Sequence, residues 1–407
     1  MSEALGRRLP RGPMAAVMLA VFVDLVGFGI VLPLLPLWAE RFGASPFVIG
    51  ALLASYALMQ FLLAPVWGRI SDRVGRRPVI LIALAGSALA ALALGLADAL
   101  WMIFLARIFH GAAGASYSVA QAYVADVTSL QQRARGMGLI GAAFGLGFIA
   151  GPAIGAATAA VDLRLPFFVA AALAAANFVL AWVRLPESLA AGTRARRRPR
   201  FEVLRRALVE RRLAPLVWMT FVATLAFVGM EATFTLFVER RLDFGPAEVA
   251  WAFVYIGLLA AASQGVIVGR LVGRHGEWRV LLAGLITTGL GLVGLAFVVN
   301  VPSLLLALLP LSAGSGLVFA TTTALISLAV GEAEQGMALG ITASISGLAR
   351  VGAPLGATAL FQAIDPGAPM LVGGVLFLAC AAAIGVLWAR NPARLGEAPI
   401  AGSARDV

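Results

Sequence analysis

Long apolar runs alternate with short charged punctuation along the whole chain. Twelve of the runs are long enough to cross a hydrocarbon core of roughly 30 Å as helices rising about 1.5 Å per residue. They lie near 14–38, 47–67, 78–97, 100–125, 136–160 and 165–184, then near 214–238, 247–268, 279–299, 302–330, 337–361 and 368–390. The pattern predicts an all-α integral membrane protein with twelve transmembrane helices in two sets of six, over 14–184 and 214–390. A cytoplasmic linker, 185–213, joins the sets, and cytoplasmic tails, 1–13 and 391–407, flank them. The first run is too long for a signal-peptide core and lacks a small-residue cleavage site, so it is expected to remain as the first helix.

The densest punctuation is Gly68-Arg69-Ile70-Ser71-Asp72-Arg73-Val74-Gly75-Arg76-Arg77-Pro78. A connection this short between two spans must lie at the water interface, and its arginines place it on the cytoplasmic side. The other arginines agree with both termini inside: only Arg41, Arg164, Arg240 and Arg241 fall outside, and Arg107 and Arg350 lie within spans. Orientation alone would require positive charge, but neither Asp72 nor the glycines at both ends. Gly68 and Gly75 suit a tight bend close to neighbouring helices. Asp72 suits a helix cap or a pair with an arginine. Together with Arg73, Arg76 and Arg77 it is expected to latch the cytoplasmic ends of the two halves.

Composition agrees with a lipid solvent: 61% of residues are hydrophobic and 13% charged, against about one quarter charged in soluble domains. The net charge of +11 comes from arginines at helix ends rather than along one face, so nucleic acid is not the expected partner. The single cysteine, Cys380, rules out a disulfide framework or thiolate metal site. The sequence contains no nucleotide-binding loop, metal cluster or nucleophile–base pair, so neither an enzyme nor an ATP-driven pump is expected, and no cofactor or metal. The linker carries arginines around Glu187, Glu202 and Glu210, and 201–212 is expected to form an amphipathic helix on the lipid surface.

The halves repeat each other. Gly68-Arg69…Arg73-Val74-Gly75 recurs as Gly269-Arg270…Arg274-His275-Gly276, and Gly145-Leu146 with Pro152 recurs as Gly347-Leu348 with Pro354. Matches at nearly one offset indicate a six-plus-six duplication. The second copy has Gly273 where the first has Asp72.

Ionisable residues inside the spans are few: Asp24, Arg107, Glu231 and Arg350, with Asp126 at a span end. Each is costly in lipid and needs a partner, water or a proton. Asp24 either exchanges a proton or pairs with an arginine. Glu231 either shares that task with Asp24 or forms a neutral bridge with Arg350. Asp126 is expected to anchor its helix end to Arg133 or Arg73. The fifth span carries Gly147, Gly151 and Gly155 on one helical face, with Pro152 beside them, which suits either close packing or a hinge. Three i,i+4 pairs, Tyr56/Gln60, Tyr117/Gln121 and Trp251/Tyr255, together with Gln264, supply aromatic and polar surface for a substrate cavity.

The 68–78 punctuation resembles the loop between helices two and three of the major facilitator superfamily. The run Gly145-Leu146-Gly147-Phe148-Ile149-Ala150-Gly151-Pro152-Ala153-Ile154-Gly155 is similar to the helix-five motif of its proton-driven antiporters. Asp24-Leu25-Val26-Gly27-Phe28-Gly29-Ile30-Val31-Leu32-Pro33, Arg107-Ile108-Phe109-His110-Gly111 and Ala122-Tyr123-Val124-Ala125-Asp126 resemble the bacterial tetracycline exporters. The resemblance implies a drug:proton antiporter of the inner membrane, with Arg107 associated with proton coupling. It departs at two places: those exporters carry a histidine on helix eight and an aspartate on helix nine. Here the stretches read Gly257-Leu258-Leu259-Ala260-Ala261-Ala262-Ser263 and Leu285-Ile286-Thr287-Thr288-Gly289. The expected protein is a monomeric, proton-coupled exporter of small amphipathic compounds. The alternatives are a carrier of a metabolite or sugar, and a non-transporting membrane assembly factor.

Overall fold

The computed structural model describes residues 11–114, 116–128, 130–189, 213–330 and 335–390. Every regular element among them is helical. In order these are α1 Arg11–Glu40, α2 Pro46–Val74, α3 Arg76–Gly95, α4 Leu100–Ala113, α5 Ser116–Val127, α6 Leu130–Ala159 and α7 Leu165–Arg184. The second half holds α8 Ala214–Leu242, α9 Pro246–Ala262, a π-helical turn Ser263–Ile267, α10 Val268–His275, α11 Glu277–Ala296, α12 Val301–Leu328, α13 Gln335–Ala363 and α14 Ala368–Arg390. Eleven helices among the described residues are long and apolar enough to cross a membrane. The expected surface helix at 201–212 lies outside the described residues.

Contacts divide the chain into two compact units. One comprises Met1–Arg197, Glu231–Leu258 and Pro354–Pro366, and the other Arg198–Met230, Leu259–Ala353 and Gly367–Val407. In the first, α1 packs on α6 and α7, α3 on α7, and α2 on α4. Its apolar centre joins Val17, Leu84, Tyr123 and Ile140, with Asn177 tied by its Nδ2 to the Ala20 carbonyl at 2.8 Å. The α1–α6 contact is made by backbone. A Cβ on Gly151 would lie 2.6 Å from the Val26 oxygen, and one on Gly29 would lie 3.0 Å from the Gly147 oxygen. Lipid offers no hydrophobic drive to associate apolar helices, so such close small-residue contacts carry the packing.

The second unit uses the same device between α11, α12 and α14. A Cβ on Gly291 would lie 2.5 Å from the Leu311 nitrogen, and one on Gly374 would lie 2.9 Å from the Gly289 oxygen. The Ser263 hydroxyl at the π-helical turn donates to the Ala313 carbonyl at 2.7 Å. The eighth run is therefore not one regular helix but continues to His275 through a widened turn.

Two expectations change here. The fourth run, 100–125, is two helices, because Gly114 leaves helical geometry at φ −69, ψ 57. The carbonyls freed there are taken by α2: Trp67 Nε1 donates to Ala112 at 2.6 Å, and Gln60 Nε2 to Gly114 at 3.3 Å. Buried irregular backbone in a membrane protein needs such replacement donors. Second, Gly68 makes no bend. It lies within α2, with open space where a Cβ would go. The expected bend is at Gly75, which holds φ 107, a conformation glycine adopts without steric cost.

Candidate functional site

The broken fourth run organises a polar site inside the first unit. Asp24, near the middle of α1, accepts hydrogen bonds from Ser87 Oγ of α3 at 3.0 Å and Ser116 Oγ of α5 at 2.5 Å. Ser116 opens α5, two residues past Gly114, so the helix break sets the hydroxyl that meets the carboxyl. The donors to Asp24 are hydroxyls. A hydroxyl can donate to a carboxylate or accept from a carboxylic acid, so this pairing accommodates either protonation state.

Gln60 joins this break to a second group. Its Nε2 also lies 3.3 Å from Tyr56 Oη, and the Tyr56 ring carries the Arg107 guanidinium 4.2 Å from its centroid. His110 meets the same ring edge-on at 5.1 Å. Arg107 is 2% exposed, and its Nε and the Nδ1 of His110 are buried without a hydrogen-bond partner. Phe28 extends the aromatic wall, 5.9 Å from Tyr56 and 6.3 Å from Phe148.

The 68–78 segment forms a separate polar knot. Arg76 Nη1 donates to Asp72 at 2.6 Å and Ser71 at 2.7 Å, and its Nε donates to Asp126 at 3.0 Å. Asp126 thus anchors to Arg76, not to Arg73, and the side chain of Arg133, the other expected partner, lies outside the described residues. The reason is reach: Arg76 starts α3 and is buried, whereas Arg73 is exposed on the last turn of α2. Glu187, just past α7, accepts from the backbone nitrogens of Arg76 at 2.8 Å and Arg77 at 3.1 Å. It caps the start of α3, where unpaired N–H groups favour a negative charge. Its carboxylate occupies the place where a Cβ on residue 75 would be, a second reason for Gly75.

The remaining sequence-predicted residues are dispersed. Gly147, Gly151, Pro152 and Gly155 are buried on α6, where Gly147 and Gly151 press on α1. Gln121 is half-buried on α5; Tyr117 is on the same helix, and its side chain lies outside the described residues. Trp251 is exposed and Tyr255 half-buried on α9, while Gln264 is exposed in the π-helical turn. Glu231 is half-buried on α8, at the first residue of the stretch assigned to the first unit. Arg350 is exposed on α13 of the second unit. Sequence reasoning missed Ser87, Ser116, Trp67 and the capping role of Glu187. Only Ser116, placed after the Gly111–Gly114 pair, carried a local signal.

Comparison with known proteins agrees with this architecture. The sequence profile of the Major Facilitator Superfamily matches residues 17–264 and 219–405. The class G tetracycline resistance protein of Vibrio anguillarum is 35% identical over 373 residues, covering 89% of this chain and 94% of that protein. Multidrug resistance protein 2 of Bacillus subtilis (strain 168) is 29% identical over 368 residues, covering 88% and 90%. The solved structure of the human organic anion transporter MFSD10 (TETRAN) superposes with a TM-score of 0.73 at 26% identity, over 93% of this chain and 100% of that one.

Proposed function

Given that the chain belongs to the Major Facilitator Superfamily, we propose that it exports small amphipathic compounds in exchange for protons by alternating access. The superfamily is one of carriers rather than enzymes, and the chain is a multi-pass protein of the inner cell membrane. In this reading α4 and α5 are one interrupted crossing, which makes twelve, with both termini in the cytoplasm. The 68–78 segment then lies on the cytoplasmic face, where Asp72 and Arg76 belong to the latch between halves. The protein acts as a lipid-embedded monomer.

Export of drugs is supported by the relatives, which are named for tetracycline and multidrug resistance. Proton exchange is supported by one observation above the rest: the Asp24 carboxyl meets two hydroxyls. A carboxyl locked to a guanidinium would have to break an ion pair to take up a proton. With hydroxyl partners the proton can come and go while both hydrogen bonds persist.

Proteoliposomes with an imposed pH gradient test the reading, with substrates chosen from a growth-inhibition panel in an exporter-deficient bacterium. Asp24→Asn is expected to abolish substrate-driven proton movement while the protein stays folded and inserted. Glu231→Gln is expected to weaken or re-couple it. Full proton coupling in Asp24→Asn would refute the exchange mechanism.

A further inference from the structure

The exchange reading puts the proton on the carboxyl of the site, and the coupling role that the resemblance implies for Arg107 does not say what meets its charge. We propose that Arg107 is the anchor for an anionic aromatic substrate, one that carries a carboxylate or a group of like charge on a flat apolar body. The proposal rests on the exporter reading only for placing this site on the transport path.

Arg107 is 2% exposed, and among the described residues no carboxylate lies within ion-pairing distance of it. Its Nε has no hydrogen-bond partner, and its guanidinium rests on the Tyr56 ring at 4.2 Å. A ring face offsets only part of the cost of a buried cation. The acid of the same site is already committed, since both Asp24 oxygens accept from serine hydroxyls. A purely structural arginine would sit against such an acid. Among the described residues nothing supplies that counter-charge, and a bound anion would.

The surroundings define what would bring it. Tyr56, Phe28 and Phe148 form a tilted aromatic series beside the guanidinium. His110, whose Nδ1 is buried without a partner, borders the same ring. A carboxylate can take guanidinium N–H groups in a charge-assisted bond, while its aryl body stacks on the aromatic series. An amide of the same shape would gain the stacking without the charge. An ammonium of the same shape would meet like charge.

The test uses the purified full chain in detergent and three shape-matched probes: 2-naphthoate, 2-naphthamide and 2-naphthylmethylammonium, followed by calorimetry. The wild type is expected to bind naphthoate most tightly. Arg107→Gln should weaken naphthoate by about tenfold or more and leave naphthamide unchanged, and Arg107→Lys should recover part of the loss. The proposal falls if the ammonium binds best, if no probe binds, or if Arg107→Gln leaves naphthoate affinity intact. It falls too if chloride alone displaces naphthoate at equal strength, which would make this a site for small inorganic anions. Should Arg107→Gln not fold, the wild-type ranking of the probes decides. Naphthoate binding that persists beside absent proton-coupled transport would refute the exporter reading and leave this one standing.

Discussion

Replacing Gly151 by alanine should cost stability, whereas the same change six residues earlier at Gly145 should not. At Gly151 the new Cβ would lie 2.6 Å from the Val26 oxygen and 2.7 Å from two backbone atoms of Gly29. All three are main-chain atoms of α1, so no side chain can rotate away. To restore ordinary contact, α1 and α6 must part by about 1 Å, and the loosened dispersion contacts extend along the whole seam. Overpacking of this kind costs about 1–3 kcal/mol. At Gly145 nothing lies within 4 Å of the added atom, and alanine's higher helix propensity should stabilise by up to about 1 kcal/mol. The two variants thus differ in sign on one helix. Thermal unfolding of the purified proteins, followed by tryptophan fluorescence, measures the difference. Transport per folded molecule in vesicles separates a rigid seam from a moving one: Gly151→Leu should lose more activity than protein. Equal unfolding temperatures for Gly151→Ala and Gly145→Ala would show that the seam does not carry the packing assigned to it.

Three further outcomes are expected at the 68–78 knot. Gly75→Ala forces a side chain into φ 107 and onto the Glu187 carboxylate, so it should destabilise by about 1–3 kcal/mol in thermal unfolding. Asp126→Asn should cost more than Asp72→Asn, because the Asp126 side chain is 26% exposed and that of Asp72 46%. About 1–3 kcal/mol is expected for the first and at most about 1 kcal/mol for the second. Asp72→Asn should nonetheless slow transport per folded molecule, and normal turnover there would remove Asp72 from the latch.

Hydropathy and arginine placement made the membrane architecture legible because both report local transfer energies, which each residue carries with it. The broken fourth run was not legible. Gly111, Ala112, Ala113 and Gly114 are as compatible with a continuous helix as with a break. What decides is the donors Trp67 and Gln60, 45 and 54 positions away from the carbonyls they satisfy. Asp24 was conspicuous as an acid among apolar residues, but Ser87 was an ordinary serine, and the glycine pair before Ser116 did not name its partner until the fold brought both to Asp24. Glu187 looked like one more charge in an arginine-rich connection. Its role as a cap on α3 arises 111 positions from Arg76. The glycine face on α6 was readable as a packing surface, while its partner, the Val26–Gly29 stretch of α1, required the structure.

The Glu187 cap also closes the segment that ends at α7. Glu187 holds the starts of Arg76 and Arg77, its neighbour Ser188 donates to Asp126 at 3.3 Å, and Tyr123 donates to the Pro186 carbonyl at 3.0 Å. The segment from α1 to α7 is therefore sewn shut at its own tail, and the seam belongs to that segment rather than to the connection that follows. The corresponding glycine of the second copy, Gly276, has open space where Gly75 meets a carboxylate; there Arg279 lies 5.7 Å over the Trp388 ring of α14. Cutting the gene into two fragments would thus be sensitive to position. A cut after Leu189 leaves the stitches with the first fragment, whereas a cut before Leu185 moves them to the wrong piece and leaves the start of α3 uncapped.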